Sequence, residues 1–561
     1  MIKIDRLYLI ALSLLLFVTK SFSQVCGNTG SSATLTVNGV SCDILNIGIL
    51  WNEKYNVPLG GFGSPPPPSV MSSCGLMVAG KTSTGNLKIA AQQSLTSGGL
   101  EYSTGPLDSL GNVTRNVCSN FDKLFEVNNS DLQTFLSSNG RTIPNSLRGW
   151  PGKGNPLFRS IHGFDLPTQN LAPFVDANGD GIYNPENGDY PAFCGDYAYW
   201  WIFNDKGKSH TGSNGGTPLG IEVKGMAYGY EAAATDTALK YSTMYNYEIV
   251  YKGTEILDSA YVALWIDADI GCNEDDYFGC SPSNNMAFAY NADSKDGSGG
   301  FCGSSAEKSY NDHIPVVGVK FLETPKGSNG QELGMTNFMY YYTDAGTVPY
   351  PTKAGKPQTP NEHYNIMTGR WRDGSPLTYG GDGTSTTNTP TKFAYPAVPN
   401  NTDTINWNMP NSRANTTEKA MIMSCGPFRM LPNSRHRLAF AVITDVDVAG
   451  HPRPSINNLI TKANRLRNIC SFPTSINDAP NESPIVKIVP NPVFDEANIH
   501  YSGSISKFSI YNLAGQLVSE TQAVNSSFLK FSTQTMLSGI YIYKITDNNG
   551  KSSSGRFTVI K

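Results

Sequence analysis

Short runs of alternating aromatic and polar residues recur along the chain, and they set strong limits on its architecture. The clearest run lies in segment 240–252, where alternate positions hold Tyr241, Thr243, Tyr245, Tyr247, Ile249 and Tyr251. A period of two residues places all six side chains on one face of an extended strand. The 55 Gly and 35 Pro residues break the chain too often for long helices. The sequence therefore predicts a mainly β, multi-strand ectodomain with few short helices, the clearest of them over Ser455–Ile469.

The aromatic face of segment 240–252 has two alternative uses. A second predicted strand follows at Ser259–Asp267, and Gly253 to Glu255 offer a turn, so we expect the two strands to form a hairpin. Aromatic side chains on strands pack in a core more often than they stack on sugar rings. The core interpretation is favoured, and a polysaccharide-binding platform is the alternative.

Residues 1–23 are predicted to be a secretory signal peptide. Lys3 and Arg6 precede the apolar run Leu7–Val18, and small residues follow, which places the cleavage after Ser23. The apolar run has 12 residues, whereas a membrane helix needs roughly 18 or more. We therefore expect a soluble exported chain without a transmembrane segment.

All ten cysteines follow the predicted signal peptide. An even number in an exported chain favours disulfides, and none of the cysteines forms the CxxC pair of a zinc or thioredoxin-like site. The most local pair is Cys272 with Cys280, and we expect a disulfide there. Spacing leaves the other pairings open.

The end of the chain has the pattern of a separate module. Ser471–Pro484 is polar and contains prolines, which is typical of a linker. Residues Ile485–Lys561 contain short alternating runs separated by turn residues. This pattern predicts a small antiparallel β-sandwich.

Four motifs in this module resemble a known family. They are Val489-Pro-Asn-Pro492, Ile510–Val518, Leu537–Ile545 and the terminal Phe557–Lys561. In this order they are similar to the type A C-terminal sorting domain of cargo of the type IX secretion system of Bacteroidota. The resemblance implies that the type IX machinery is a partner of this module. It also implies a secreted or cell-surface location.

The remainder of the chain resembles large exported proteins of Bacteroidota that carry the same sorting domain. The likeness rests on stretches that include Leu76–Lys81, Leu171–Pro191, Leu264–Gly271, Asp275–Cys280 and Ser424–Phe428. It implies no particular activity. We divide this part into an N-terminal β-rich region over 24–170 and an aromatic-rich β region over 171–470.

The strongest local motif for chemistry begins at Asp176. Oxygen ligands at positions 1, 3 and 5, a glycine at position 6 and a backbone carbonyl at position 7 are how a short loop wraps Ca²⁺. Here these places hold Asp176, Asn178, Asp180, Gly181 and Ile182. Position 12 is Asn187 instead of the usual glutamate, so Glu186 or Asp189 would have to close the shell. We predict an EF-like calcium loop, with an Asx-rich turn as the alternative.

A second acidic group follows the predicted strand at 259–267. Its members are Asp267, Asp269, Glu274, Asp275 and Asp276. Metal binding or turn stabilisation is the favoured role. An acid/base pair for glycoside hydrolysis, built on Asp267 and Asp269, is the weaker alternative.

The sequence lacks the local signatures of common enzymes, including HExxH, GxSxG and Gly-rich phosphate loops. A formal charge of −4 offers no basic footprint for nucleic acid. We therefore predict a non-catalytic structural or adhesive protein, braced by calcium and disulfides. A polysaccharide-binding protein and a secreted glycoside hydrolase are the alternatives, and a polysaccharide or other surface ligand is the expected partner.

Overall fold

The structure is a computed structural model, and it describes residues 25–561 apart from short segments. The segments outside the description are 28–29, 58–67, 96–98, 232–235, 273–274, 293, 297–308, 311–312, 344–349, 399–405, 411, 413–417, 446–455, 467–485, 514 and 549–551. The predicted signal peptide, the predicted linker over 471–484 and Glu274 therefore lie outside the described residues.

Extended segments dominate the described chain, which confirms the mainly β prediction. The strands of the body are β1 Ser32–Val37, β2 Val40–Leu45, β3 Ile49–Asn56, β4 Ser73–Thr82, β5 Leu87–Ala91, β6 Ser103–Thr104, β7 Phe125–Asn128, β8 Phe174–Val175, β9 Tyr190–Pro191, β10 Tyr197–Asn204, β11 Ile221–Gly229, β12 Ser242–Tyr251, β13 Leu257–Asp267, β14 Asp276–Ser281, β15 Met286–Asn291, β16 Val316–Glu323, β17 Asn337–Tyr342, β18 Lys419–Met430 and β19 Arg435–Asp445. The strands of the C-terminal module are β20 Val486–Val489, β21 Glu496–Tyr511, β22 Leu517–Ser532, β23 Gly539–Asp547 and β24 Ser552–Val559.

Two large antiparallel sheets form the body. The first has eight strands in the order β1-β2-β3-β4-β13-β18-β17, with β5 on β4. The second has nine strands in the order β14-β15-β16-β19-β12-β11-β10-β6, with β7 on β10. Both sheets take strands from both sides of residue 170, so that position is not a boundary between sheets.

The main core lies between these two sheets. Tyr245, Tyr247 and Tyr251 of β12 are buried in it, as the favoured interpretation of the aromatic face predicted. The Tyr245 hydroxyl has a partner on the facing sheet, because it accepts from the Trp51 indole N–H at 2.8 Å, and the Tyr251 hydroxyl donates to the Glu255 carbonyl at 2.6 Å. Such pairing removes the cost of burying an unpaired polar group.

The predicted hairpin between the strands at 240–252 and 259–267 is wrong. β12 pairs with β11 and β19 in the second sheet, whereas β13 pairs with β4 and β18 in the first. The short connection between them therefore crosses from one sheet to the other. Each strand buries apolar side chains by facing the other across the core, so the same alternation suits both arrangements.

Short helices cover the outer face of the second sheet and the rim of the first. They are α1 Arg115–Asn120, α2 Asn129–Ser137, α3 Asn145–Arg148, α4 Phe158–His162, α5 Thr237–Lys240, α6 Pro360–Met367 and α7 Ile456–Ala463, with 3₁₀ turns at Pro185–Asn187, Pro282–Asn284 and Thr352–Ala354. In α7, Ile456, Leu459, Ile460 and Ala463 are buried in a second apolar cluster outside this sheet. The predicted helix over 455–469 is confirmed for Ile456–Ala463, after which the described chain turns.

The C-terminal strands form a separate five-stranded antiparallel sheet in the order β20-β21-β23-β24, with β22 on β21. This sheet curls around its own apolar cluster, in which Ile499, Phe508, Ile545 and Phe557 are buried. The alternation in the sequence therefore corresponds to a β module with its own core.

Candidate metal centre

The predicted calcium loop closes a two-stranded ribbon. Val175 at the end of β8 pairs with Tyr190 at the start of β9, and the loop runs between them. Asp176 holds the turn, because its carboxylate accepts from the backbone N–H groups of Gly179 and Gly181, each at 2.7 Å. Gly181 has a φ of 76°, a left-handed conformation that favours glycine. The local sequence thus folds the loop around the first carboxylate.

Three carboxylates converge in this loop. Oxygen atoms of Asp176, Asp180 and Asp189 lie within 4.8 Å of one another. Asp189 is fully buried and accepts from the backbone N–H groups of Ala177 at 2.7 Å and Asn184 at 2.8 Å. Burial raises the pKa of Asp189, and the charges of Asp176 and Asp180 raise it further.

The other predicted ligands lie around this group. Asn178 donates through its amide to Asp180 at 2.8 Å, and the Ile182 N–H donates to the same carboxylate at 2.8 Å. Glu186 is exposed and lies within the 3₁₀ turn Pro185–Asn187, outside the group of converging oxygens. Of the two carboxylates considered for closing the shell, Asp189 is the one that lies beside Asp176 and Asp180.

Two members of the second acidic group, Asp267 and Asp269, lie where β13 and β18 meet at one end of the first sheet. Asp267 ends β13, Asp269 follows it, and Glu418 immediately precedes β18. Since Ile266 pairs with Met421 in antiparallel register, the chain after β13 runs beside the chain before β18. Oxygens of Asp267, Asp269 and Glu418 consequently lie within 4.8 Å of one another. Glu418 is 149 positions from Asp269, and nothing in the local sequence pointed to it.

Burial and like charges act together on this trio. The pKa of Asp267 is well above its ordinary value, first because the group is buried and then because Asp269 and Glu418 are close. Its Oδ1 atom is buried and has no hydrogen-bond partner among the described residues. A buried oxygen of this kind costs free energy unless a proton or a cation meets it.

Asp275 and Asp276, the other described members of the second acidic group, contact residues outside the trio of Asp267, Asp269 and Glu418. Asp276 accepts from the Ile270 N–H at 2.8 Å, and burial raises its pKa well above the ordinary value. Asp275 lies beside the buried Asp296, which accepts from the Cys272 N–H at 2.9 Å. Burial raises the pKa of Asp296 to about 6. Asp296 was not anticipated from the sequence, because it is 20 residues beyond the acidic run.

The expected Cys272–Cys280 disulfide is wrong. Cys280 is a buried free thiol that donates to the Ala394 carbonyl at 3.3 Å, whereas Cys272 is disulfide-bonded elsewhere. Cys280 lies within β14, whose residues pair in antiparallel register with β15, and this strand directs its thiol to the Ala394 carbonyl. A bridge between Cys26 and Cys118 is described, and Cys42, Cys74 and Cys425 are buried free thiols.

One histidine lies near both an acid and a hydroxyl. His210 Nδ1 is 3.4 Å from Glu101, and the Ser213 hydroxyl donates to Glu101 at 2.7 Å. The serine therefore contacts the acid and not the imidazole, and all three residues are buried. A nucleophilic relay needs the serine on the imidazole, so this set is arranged as a structural network.

Comparison with known proteins identifies the C-terminal module. Residues 487–560 match the family described as "Secretion system C-terminal sorting domain". This module is a type IX secretion C-terminal sorting domain, and the chain is accordingly exported to the cell surface or beyond it. No helix in the described part of the chain has the length and apolar character needed to cross a membrane.

The other comparisons are less informative. No curated protein sequence matches the chain. A polysaccharide lyase structure is similar with 9% identity and a TM-score of 0.17, over 60% of this chain and 34% of the lyase. Latent PorU from Porphyromonas gingivalis is similar with 10% identity and a TM-score of 0.12, over 65% of this chain and 31% of PorU. CopC from Methylosinus trichosporium OB3b has 19% identity and a TM-score of 0.11, over 13% of this chain and 93% of CopC. Scores this low carry no argument about function.

Proposed function

We propose that this exported protein is a non-catalytic structural or adhesive ectodomain whose body is braced by Ca²⁺ at loop 176–189 and by disulfides. The observation that carries the proposal is the convergence of Asp176, Asp180 and Asp189 in a loop closed by paired strands. Carboxylates and carbonyls are the ligands that Ca²⁺ takes, usually six to eight of them. The Asn178 amide oxygen, the Ile182 carbonyl and water complete the shell.

The loop is placed where an ion would brace the covering layer of the body. Tyr183 in the loop is buried, and its hydroxyl donates to the Leu147 carbonyl at 2.7 Å in α3. Phe174, next to the loop, packs edge-on against Tyr183 with ring centroids 5.4 Å apart. An ordered loop therefore holds the helical layer that covers the outer face of the second sheet.

The burial of the β12 tyrosines favours this proposal over the polysaccharide-binding alternative. An aromatic platform must be open to solvent if sugars are to stack on it, and Tyr245, Tyr247 and Tyr251 are packed between the sheets. The candidate catalytic residues of the hydrolase alternative are Asp267 and Asp269. They lie in a three-carboxylate group with Glu418 and do not form an isolated acid and base.

Calcium-dependent stability of the full chain tests the bracing. Metal-stripped protein is titrated with Ca²⁺ and followed by calorimetry and thermal unfolding, beside Asp176→Ala with Asp180→Ala and the control Glu186→Gln. We expect Ca²⁺ to raise the melting temperature of the wild type and the control, with the loop variant losing that part of the response. A loop variant with the full wild-type response would contradict the bracing.

Binding and turnover assays test the proposal that the protein is adhesive or structural and not catalytic. The full chain is screened against purified polysaccharides, host matrix proteins and cell envelopes, and against peptide, ester and glycoside substrates. We expect binding to a surface component and no turnover. Glycoside turnover that is lost in Asp267→Ala would establish the hydrolase alternative, and binding to a polysaccharide alone would establish the polysaccharide-binding one.

A further inference from the structure

The last strand of the sorting module turns one face towards the body. In β24, Phe557 and Val559 are buried in the module's own apolar cluster. Because side chains alternate along a strand, Arg556 and Thr558 lie on the opposite face. Thr558 is nevertheless only 2% exposed, so this second face of the strand is covered as well. A sheet that curls around one core needs to bury only its inner face, so the cover on the outer face requires a separate explanation.

Arg556 connects this outer face to the body. Its guanidinium donates a hydrogen bond to the backbone carbonyl of Phe193. Burial lowers the pKa of Arg556, and three neighbouring phenol groups of the body oppose that shift, namely Tyr190, Tyr230 and Tyr228. A guanidinium leaves water at a high cost unless polar groups replace the water. The body supplies such groups, and we call Tyr190, Phe193, Tyr228 and Tyr230 the docking patch.

The neighbours of Arg556 extend the same contact. Burial raises the pKa of Tyr190, and Arg556 and Thr558 partly offset that rise, so both module residues lie beside the Tyr190 hydroxyl. Ile540 of β23 pairs with Thr558 in antiparallel register and therefore shares its face of the sheet. Ile540 packs against the apolar cluster outside the second sheet of the body, as does Leu513. One face of the module thus meets the body through both polar and apolar groups.

The contact is incomplete on one side, where a cavity of about 880 Å³ separates the module from the body. Lys224, Glu248 and Arg435 line it from the body, and Ser553 and Ser554 line it from β24. Glu248 pairs within the body with Lys224 at 3.1 Å and with Arg435 at 2.9 Å. Departure of the module would therefore leave these charges paired. Polar contacts and open volume are typical of interfaces between domains that can separate.

We propose that the sorting module docks reversibly on the body of its own chain, with Arg556 as the anchor and the docking patch as its receptor. While the module is docked, the outer face of β24 is covered. A partner that binds this face, including the type IX machinery, then has to undock the module first. A partner that binds the other surfaces of the module does not. The proposal goes beyond the proposed function and does not depend on Ca²⁺ in loop 176–189.

Distance measurements between spin labels on the intact chain test the docking. One label is attached through Ser137→Cys in α2 and the other through Ser527→Cys in β22, since both serines are exposed. Pulsed electron paramagnetic resonance should give one narrow distance population in the otherwise wild-type chain. Arg556→Ala should abolish most of this population and give a broad distribution. Lys544→Ala, which changes an exposed basic residue of the adjacent β23, is the matched control and should keep the narrow population.

A change in the body guards against a module that has merely unfolded. Tyr190→Phe removes the hydroxyl beside Arg556 and leaves every residue of the module unchanged. It should broaden part of the distance distribution, whereas circular dichroism of both variants should match the wild type. A broad distribution in the wild type, or an equally narrow one in Arg556→Ala, would overturn the proposal. Arg556→Ala should keep the calcium response of loop 176–189, so the proposed function is tested separately.

Discussion

The two acidic centres differ in how their charges are supported. In loop 176–189, Asp176 and Asp189 accept several backbone N–H groups within the same loop. At the end of the first sheet, Asp267 lies in a three-carboxylate group with Asp269 and Glu418, and its Oδ1 atom is buried without a hydrogen-bond partner among the described residues. Backbone N–H groups already compensate Asp176 and Asp189, whereas the buried Oδ1 atom of Asp267 has no such partner among the described residues. The difference teaches that a local motif can orient its own carboxylates through backbone N–H groups, whereas sheet register can bring together carboxylates from distant parts of the chain.

The largest effect on stability is expected from the loss of Asp189, the buried carboxylate on which loop 176–189 depends. Asp189→Ala leaves the N–H groups of Ala177 and Asn184 without their acceptor, and each loss costs roughly 1 to 3 kcal/mol. Chemical denaturation without metal should show the full loss. Glu186→Ala, an exposed acid of the same loop, is the control and should change stability little. A metal-free stability equal to wild type would mean that the ion, and not the backbone, organises this loop.

Calcium itself should have the next largest effect. At 100 times the dissociation constant, an ion bound only to the folded state adds about 2.7 kcal/mol of stability. Asp176→Ala with Asp180→Ala should remove this gain at the loop, and EDTA should sensitise the wild-type chain near Tyr183 to proteolysis. Differential scanning calorimetry and limited proteolysis measure the two consequences. Cleavage near Tyr183 that is independent of calcium would break the proposed link between the ion and loop order.

A change of the opposite sign is expected at the sheet end. At a pH above the folded-state pKa of Asp267, where the carboxyl is ionised, Asp267→Asn removes one of three neighbouring charges and should raise metal-free stability by about 1 to 3 kcal/mol. Denaturant unfolding in EDTA measures this gain, with Asp258→Asn as the matched control. A loss of stability in Asp267→Asn would show that the carboxylates are already compensated, and the contrast with the loop would disappear.

The smallest effect is a dependence on pH. Burial, Asp269, Glu418 and Glu53 raise the folded-state pKa of Asp267 above its unfolded value. The metal-free folded state therefore binds this proton more tightly than the unfolded chain does. The stability from this group is fully present below the unfolded pKa and is lost as the pH rises through the folded pKa.

Melting curves recorded in EDTA, at pH values between the unfolded-state and folded-state pKa of Asp267, measure how stability changes with pH. Wild type should lose stability relative to Asp267→Asn as the pH rises towards neutrality, by a few degrees in melting temperature. Parallel curves for the two proteins would indicate that Asp267 has the same pKa in the folded and unfolded states.

The export signal provides a separate test of the chain's two parts. A chain that ends at Pro484 lacks the matched sorting module and should remain in the periplasm, as fractionation would show. Efficient release of this truncated chain into the medium would mean that the body carries its own export information.

The sequence by itself determined the features that neighbouring residues encode. Alternation predicted the β class and the burial of Tyr245 and Tyr247, four ordered motifs identified the sorting module, and the spacing of Asp176, Asn178 and Asp180 located the loop. The β class and the burial of these tyrosines could be predicted because the faces of a strand depend on residues a few positions apart, whereas the sorting module was found through its resemblance to a known family.

Only the tertiary structure decided which distant residues meet. It assigned β12 and β13 to different sheets, brought Glu418 to Asp269, placed Asp296 beside Asp275 and left Cys280 as a thiol. The alternation of side chains specifies which face of a strand is buried, but it does not specify which other strand pairs with that strand. Partners far apart in the chain are selected by the packing of the whole core, and that information is not contained in any short segment.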